Sequence, residues 1–369
     1  MVKLDAEAFR FMTTTDFRVL TAIETGMRNH SVVPTELVMR LSGTKRGECM
    51  RVLSKVHKYK LIKRERKSYE GWYLTYRGYD YLALNVFKRR GLIRGLGTRI
   101  GVGKESDIYQ AQGADGRLLV LKLHRLGRTS FRKIKEKRDY HEHRQSVNWL
   151  YLSRLSATRE FAFMRALYQH EFPVPVPVDQ NRHCVLMHHV NAYPLCNVGN
   201  VSNPGKLYDK LMSLIVKFAE HGLVHCDFNE FNLLVSELGD VTVIDFPQMV
   251  STRHKHAQEW FERDVQCVKD WFLKRCQFEP VGWPEWADDV PALPETRVDA
   301  ELKASGYRGD GEDGAFDRHN DDSDSDEDGT SDEDDVGSDA DDVDTDDDGQ
   351  SDDDSQDHAA ASDSEPNST

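Results

Sequence analysis

In His225-Cys226-Asp227-Phe228-Asn229-Glu230-Phe231-Asn232-Leu233-Leu234, a carboxylate and an amide stand five residues apart at Asp227 and Asn232. Such a pair can orient or deprotonate an acceptor with the acid and hold a hard cation with the amide oxygen. Thirteen residues past Asn232, the apolar run Val241-Thr242-Val243-Ile244 delivers a second carboxylate, Asp245, at its end. Oxygen donors of this kind suit magnesium. Leu119-Val120-Leu121-Lys122 sets a lysine in an apolar strand, where burying its stem demands a partner for the ammonium. Glu160, on a segment with helical spacing, can supply that partner, although by itself it reads more readily as a surface helix charge. Gly101-Val102-Gly103-Lys104-Glu105-Ser106-Asp107 completes the set, since glycine lets backbone N–H groups approach a polyphosphate closely. Phosphoryl transfer needs a cation bridging phosphate oxygens, positive or N–H donors around the transferring group, and a positioned acceptor. Each segment alone is an ordinary turn with a solvated charge; their order along the chain is what points to this chemistry.

The glycine turn is not a Walker A loop, because Thr98 stands where the first glycine should be and Glu105 follows Gly103-Lys104. It fits the protein-kinase form G-x-G-x-x-G-x-V, with Ser106 for the third glycine and Ile108 for the valine. Lys122 then matches the V-A-I-K lysine, Asp227 and Asn232 match H-R-D-x-x-x-x-N, and Asp245 matches the D-F-G aspartate. The departures are as informative. Asp245 is followed by Phe246-Pro247-Gln248, so a proline that restricts the backbone replaces the hinge glycine. No A-P-E follows, and the 55 residues from Asp245 to Ala300 leave no room for a usual peptide-substrate platform. Met187-His188-His189 occupies the adenine-facing stretch, where kinases commonly carry an acidic residue after the methionine.

Several elements must position these groups. The spacing predicts strand, turn, strand, turn and strand over 97–122, with Gly113-Ala114-Asp115-Gly116 as the second turn. A helix over 157–168 carries Glu160 beside an apolar stripe of Phe161, Met164 and Leu167. Leu207, Leu211, Leu214, Ile215 and Phe218 predict an amphipathic helix stopped at His221-Gly222, and Trp260, Phe261, Val265, Val268 and Trp271 predict another.

The first ninety residues read as a winged helix. Phe17, Val19, Leu20 and Ile23, then Leu37, Val38 and Leu41 after Pro34, then Cys49, Val52, Leu53 and Val56 mark three short helices. Lys63-Arg64-Glu65-Arg66-Lys67, a Glu70-Gly71 turn and Trp72-Tyr73-Leu74-Thr75 follow as a basic hairpin. Lys45, Arg46, Arg51 and Lys55 are expected on the solvent side of the third helix, where such folds meet a groove. The same pattern fits a merely solvated face or a protein-binding one, and hairpin cations at phosphates carry no sequence specificity.

Charge divides the chain. Residues 310–369 hold 27 acidic residues against one arginine, whereas the first 309 hold 48 Lys+Arg against 36 Asp+Glu, a net of +12. The tail lacks the apolar residues to offset ordering entropy and is expected to be disordered. No run approaches the ~20 apolar residues of a membrane span, and charges within Met1–Met12 argue against a secretory leader. A soluble intracellular protein without membrane partners is expected. The six cysteines are scattered without a C-x-x-C pair and read as reduced thiols rather than metal ligands.

Together with Leu126-Gly127-Arg128-Thr129-Ser130-Phe131-Arg132, these motifs and the N-terminal winged helix resemble the RIO family of atypical protein kinases, over residues 1 to about 300. The winged helix resembles that of one subfamily. The resemblance implies an α+β chain: a winged helix-turn-helix domain (1–91), a bilobal, trimmed kinase-like RIO domain (92–300) and the acidic tail (301–369). It implies ATP and Mg²⁺ as cofactors and a serine/threonine kinase that works more as a slow ATPase. It implies association with precursors of the small (40S) ribosomal subunit late in maturation, with nucleotide-driven release. Gly101, Gly103, Lys104 and Ser106 would meet phosphates, Lys122 and Glu160 would pair, and Met187 and His189 would face adenine. Asp227 would be catalytic, Asn232 and Asp245 would hold metal, and Asp245 would itself take up phosphate. The basic run 125–144, with Lys133, Lys135, Lys137, Arg138, His141 and His143, suits ribosomal RNA phosphates or is a solvated insertion. Ser130 is a candidate autophosphorylation site, and Ser323, Ser325, Ser331 and Ser338 lie beside acidic residues as an acidophilic kinase requires. Cytoplasmic residence is expected, with passage through the nucleus left open. The competing reading is a non-catalytic scaffold in which nucleotide only locks the fold.

Overall fold

The computed structural model describes residues 4, 6–66, 69–126, 149–292, 294 and 296–306. Lys67, Ser130, the basic run from Lys133 to His143, and the tail serines lie outside the described residues.

The N-terminal domain is a winged helix. Its helices span Thr14–Gly26, Thr35–Ser42 and Arg46–Lys58, and its hairpin pairs Ile62–Arg66 with Glu70–Leu74. A capping box opens the first helix: Asp16 N–H donates to Thr13 Oγ1 and Thr13 N–H to Asp16 Oδ2 at 2.7 Å. Gly43, at φ 63°, stops the second. Cys49, Val52, Leu53 and Val56 are buried as their spacing predicts. Two expectations change. Gly71 is inside the second hairpin strand, where a Cβ would come within 2.6 Å of the Val33 carbonyl oxygen, so close backbone approach and not a turn requires glycine. Lys55 is taken up within the domain, its ammonium 2.6 Å from buried Asp16 and 2.8 Å from the Phe11 carbonyl.

A further helix, Tyr76–Arg89, follows the hairpin and has no counterpart in the sequence reading. It is apolar on most sides because it is sandwiched. Tyr81, Leu84 and Phe87 belong to one core with the winged helix and with Tyr109, Ala111, Leu119, Leu121, Leu123, Cys184 and Leu186 of the next domain.

Those last residues line one face of a five-stranded antiparallel sheet, in the order Ile93–Val102, Ser106–Gly113, Leu118–His124, Cys184–His188, Pro177–Asn181. Side chains alternate across a sheet, so burying 119, 121 and 123 against the winged helix turns Val120 and Lys122 to the opposite face. The helix Trp149–Gln169, which begins eight residues before the predicted start, packs against the sheet and carries Glu160. The second lobe is built on the helices Pro204–Glu220 and Ala257–Cys276, with Tyr208 set edge-on to Phe272 at 5.4 Å. Short antiparallel pairs, Leu233–Val235 with Val241–Val243 and Leu223–Val224 with Val250–Ser251, carry the loops of interest on their ends.

Residues 252–256 are all that separate Val250–Ser251 from the next helix, so among the described residues the usual peptide platform is missing, as expected. The short helix Val298–Glu301 then packs back: the Ser251 hydroxyl donates to buried Asp299 at 2.6 Å and Ser305 bridges Val250. With Ala304 buried as well, the ordered chain continues past Ala300. Replacing Phe87 by Ala should remove about 3–5 kcal/mol of stability and lower the denaturant midpoint of both the winged helix and the sheet, read by tryptophan fluorescence and far-ultraviolet circular dichroism.

Candidate active site

Lys122 faces the cleft from the middle strand of the sheet. Its Nζ lies 2.7 Å from Glu160 Oε1 and 3.1 Å from Asp245 Oδ1, so one ammonium joins the sheet, the helix and the second lobe. His124 Nε2, two residues along the same strand, is 2.7 Å from the other Glu160 oxygen. Burial pushes Glu160 up, but Lys122 and His124 outweigh it and hold the carboxyl below its usual range. Burial pulls Lys122 down, and Asp245 and Glu160 more than reverse this, so the ammonium stays charged.

The loop after Leu223–Val224 carries Asp227 and Asn232. Asn232 Nδ2 donates to the Asp227 carbonyl and to Asp227 Oδ2, both at 2.9 Å, and Asn229 Nδ2 donates to Asp227 Oδ1 at 2.8 Å. With its NH₂ tied twice to Asp227, the Asn232 amide turns its oxygen away from that residue, as a metal ligand must. The backbone places Asp245 alongside, because Ile244 N–H donates to the Asn232 carbonyl at 3.0 Å. Burial and the nearby Asp245 charge both raise Asp227 above an ordinary carboxyl. Two carboxylates repelling one another beside an amide oxygen fit a hard divalent cation. Among the described residues no three His, Cys, Asp or Glu side chains could hold a metal unaided, in keeping with magnesium's habit of taking one or two carboxylates and completing its shell with phosphate and water. All six cysteines are free thiols.

The glycine turn joins Ile93–Val102 to Ser106–Gly113, with Gly101 paired to Ile108. Gly103 N–H points back into the hairpin, donating to the Ser106 carbonyl at 2.8 Å, so that group does not face a ligand. The turn's polar side chains are exposed Lys104 and half-buried Glu105 and Ser106, of which Lys104 and Ser106 suit a phosphate. Met187 is buried against the second-lobe core, and His189 N–H donates to the Leu118 carbonyl, so its carbonyl and ring are what remain for a base. The structure thus brings Lys122, Glu160, Asp227, Asn232 and Asp245 together. One expectation outside this group falls: Arg125, counted in the basic run, is 2% exposed and bonded to carboxylates.

Residues 9–90 match the family described as Rio2, N-terminal, and residues 107–281 match the RIO domain. A serine/threonine-protein kinase rio2 of Schizosaccharomyces pombe is 48% identical over 308 residues, covering 83% of this chain and 89% of that one. The chain belongs to the Rio2 family of RIO serine/threonine-protein kinases. A Rio2-family relative from Dictyostelium discoideum is likewise 48% identical, but the match spans only 58% of its length. The crystal structure of a Rio2 kinase–ADP/Mg²⁺–phosphoaspartate complex from Chaetomium thermophilum superposes with a TM-score of 0.73 at 44% identity, over 83% of this chain and 95% of that one.

Sequence reasoning missed the support beneath the Rio2-family loop. Asp264, from the helix Ala257–Cys276, accepts the N–H groups of Cys226 and Phe228 at 2.8 and 3.0 Å, and Arg263 donates to the Cys226 carbonyl. Its signal was an acidic residue in the apolar stripe of Phe261, Val265 and Val268. Burial pushes Asp264 up to about 7, against those two bonds. His225 packs edge-on against Phe228 and Phe246 and near Phe218, and burial pulls it down to about 4 despite Asp245.

These two groups act oppositely on acid stability. Between pH 6.5 and 4 the unfolded chain protonates His225 before the folded one does, so its contribution, present above 6.5, is lost as pH falls. Asp264 takes its proton more readily when folded, so its contribution is present in acid and is lost as pH rises through about 7. His225→Phe should therefore be more acid-tolerant relative to the parent chain, by roughly 2–3 kcal/mol between pH 7.5 and 4.5, measured by urea unfolding at both values.

Proposed function

We propose that this chain is an ATP- and Mg²⁺-dependent RIO serine/threonine kinase that phosphorylates its own Asp245 and turns over as an ATPase during late maturation of the 40S ribosomal subunit. The observation that carries the reading is the single ammonium of Lys122 held between Glu160 and Asp245, with Asp227 and Asn232 alongside.

In this reading Lys122 neutralises phosphate charge while the turn with Lys104 and Ser106 covers the triphosphate. Asn232 and Asp245 would hold Mg²⁺, which when bound neutralises charge on the phosphate oxygens. A carboxylate oxygen of Asp245 forms the new bond to the γ-phosphorus, the bond to the bridging oxygen breaks, and ADP leaves with that electron pair. Asp227, with its raised pKa, accepts the proton of the water that then attacks the acyl phosphate. The P–O bond to Asp245 breaks, inorganic phosphate leaves and the carboxylate is restored. The Rio2 complex from Chaetomium thermophilum, by its description, contains phosphoaspartate with ADP and Mg²⁺. The missing peptide platform favours this cycle over transfer to a docked protein.

On the same reading, ribosomal RNA is met by the exposed cations of the winged helix, Lys45, Arg46, Arg51, Lys63 and Arg66, with ribosomal proteins as further contacts. Lys133 to His143 would add phosphate contacts, the phosphoenzyme cycle would drive release from the particle, and the tail serines would accept phosphate from an acidophilic kinase. The chain would work in the cytoplasm.

Incubation with γ-labelled ATP and Mg²⁺ should label the chain in an acid-stable, hydroxylamine-labile form that is absent from Asp245→Asn. Asp227→Ala should keep nucleotide binding and lose turnover by about 10²–10⁴-fold. Hydroxylamine-stable label passing to an added protein would overturn the acyl phosphate in favour of ordinary serine phosphorylation; unchanged turnover in Asp227→Ala would remove that residue from catalysis, and nucleotide binding without turnover in the parent chain would favour the scaffold.

A further inference from the structure

The turn over the proposed phosphate site is held from beneath by one arginine. Arg125 follows the strand that carries Lys122 and His124. Its backbone N–H donates to the Glu105 carbonyl at 2.6 Å, and its Nε to Asp107 Oδ2 at 3.3 Å. The two bonds grip the hairpin on either side of Ser106. The guanidinium is fixed in turn by Asp80, with Nη1 2.8 Å from Oδ1 and Nη2 2.7 Å from Oδ2. His183 Nε2 is 2.8 Å from Asp80 Oδ1 and 3.3 Å from Arg125 Nη1.

Asp80, Asp107, Arg125 and His183 are each at most 2% exposed. A buried guanidinium needs its charge and its donors met together, and a two-oxygen fork is the arrangement that does both. What is unusual is the origin of that fork. Asp80 lies on Tyr76–Arg89, a helix that shares its core with the winged helix, whereas the turn it secures belongs to the kinase domain. Removing its charge leaves Asp107, on the hairpin itself, as the remaining carboxylate bonded to the Arg125 guanidinium, so the brace loses its anchor outside the hairpin.

We propose that Asp80 is a positioning residue of the nucleotide site: acting through Arg125, it sets the place of the Gly103–Ser106 turn above the phosphates. The N-terminal domain is then part of the nucleotide site without touching nucleotide. This rests on the reading above that the turn covers a triphosphate. It also explains why the two domains share a core instead of being joined by a linker: a flexible joint could not transmit a hydrogen-bond geometry to the turn.

The test is isothermal titration of Mg·ADP into the full chain, with steady-state ATP turnover, for Asp80→Asn, Arg125→Lys and the packing control Phe87→Leu. Asp80→Asn keeps the side-chain shape and loses the charge; Arg125→Lys keeps the charge and loses the fork. Both should weaken Mg·ADP and raise KM for ATP by about tenfold, with kcat at saturating ATP within about twofold of the parent chain. Phe87→Leu, at a temperature well below its midpoint, should leave affinity and KM unchanged although it destabilises the same helix. Parental affinity in either folded network variant, or an equal loss in Phe87→Leu, overturns the proposal. If the parent chain itself fails to bind Mg·ADP, the nucleotide reading falls and takes this inference with it; parental binding with an unaltered Asp80→Asn sinks only the inference.

Discussion

The Lys122 side chain is 10% exposed, and its ammonium lies between two carboxylates contributed by elements far apart in the chain. A buried charge of this kind is costly unless it is paired, and pairing is only as good as the geometry that presents the partners. Lys122 can sit there because the sheet face behind it is closed by the winged-helix core, which forces the alternation of its strand. Glu160 can meet it because the helix Trp149–Gln169 packs on that strand. Asp245 can meet it because Ile244 is tied to Asn232, so the same backbone bond that places the candidate metal ligands side by side also brings one of them to the lysine. Deleting one partner of such a group typically costs several kcal/mol, so the lobes are held in register by the atoms proposed to do the chemistry.

The second lobe stores strain beside both candidate acids. Cys226, next to Asp227, has φ 67°, and Asp245 itself has φ 70°, a region that non-glycine residues rarely occupy. Each costs about 1–3 kcal/mol and persists only when its surroundings over-determine it. The surroundings do. Asp264 and Arg263 bind the peptide groups on either side of Cys226, and Phe246, 1% exposed, pins the chain beyond Asp245 before Pro247 restricts it further. The replacement of a hinge glycine by proline therefore accords with a carboxylate held in one place, as a residue that is both ligand and proposed phosphate acceptor requires.

Much of this was legible in the sequence because the relevant residues lie in short, locally determined turns or on clean periodic faces. Asp227 with Asn232, Asp245 at a strand end, Lys122 in its strand and Glu160 beside a helical stripe all stand where spacing puts them. What escaped notice was buried charge. Asp80 sits in the run Tyr79-Asp80-Tyr81-Leu82-Ala83-Leu84, whose apolar residues surround the helix instead of forming one stripe, so both helix and acid were passed over. Arg125 and Lys55 looked like solvent-facing cations because nothing local reveals a carboxylate 45 or 39 residues away. Gly71 was read as a turn because the reason for it, the Val33 carbonyl, belongs to another segment. Spacing within a segment reports what a residue can do; the partner that fixes it is a property of the packing.

The account stands on Lys122 and Asp245 acting on the same bound nucleotide, and a double-mutant cycle on Mg·ADP affinity addresses that directly. Titration calorimetry of Lys122→Met, Asp245→Asn and the double variant should give a coupling energy above about 1 kcal/mol, the double variant being little worse than the weaker single one. Additivity within about 0.5 kcal/mol would mean that the two side chains do not share a ligand, and would contradict the account.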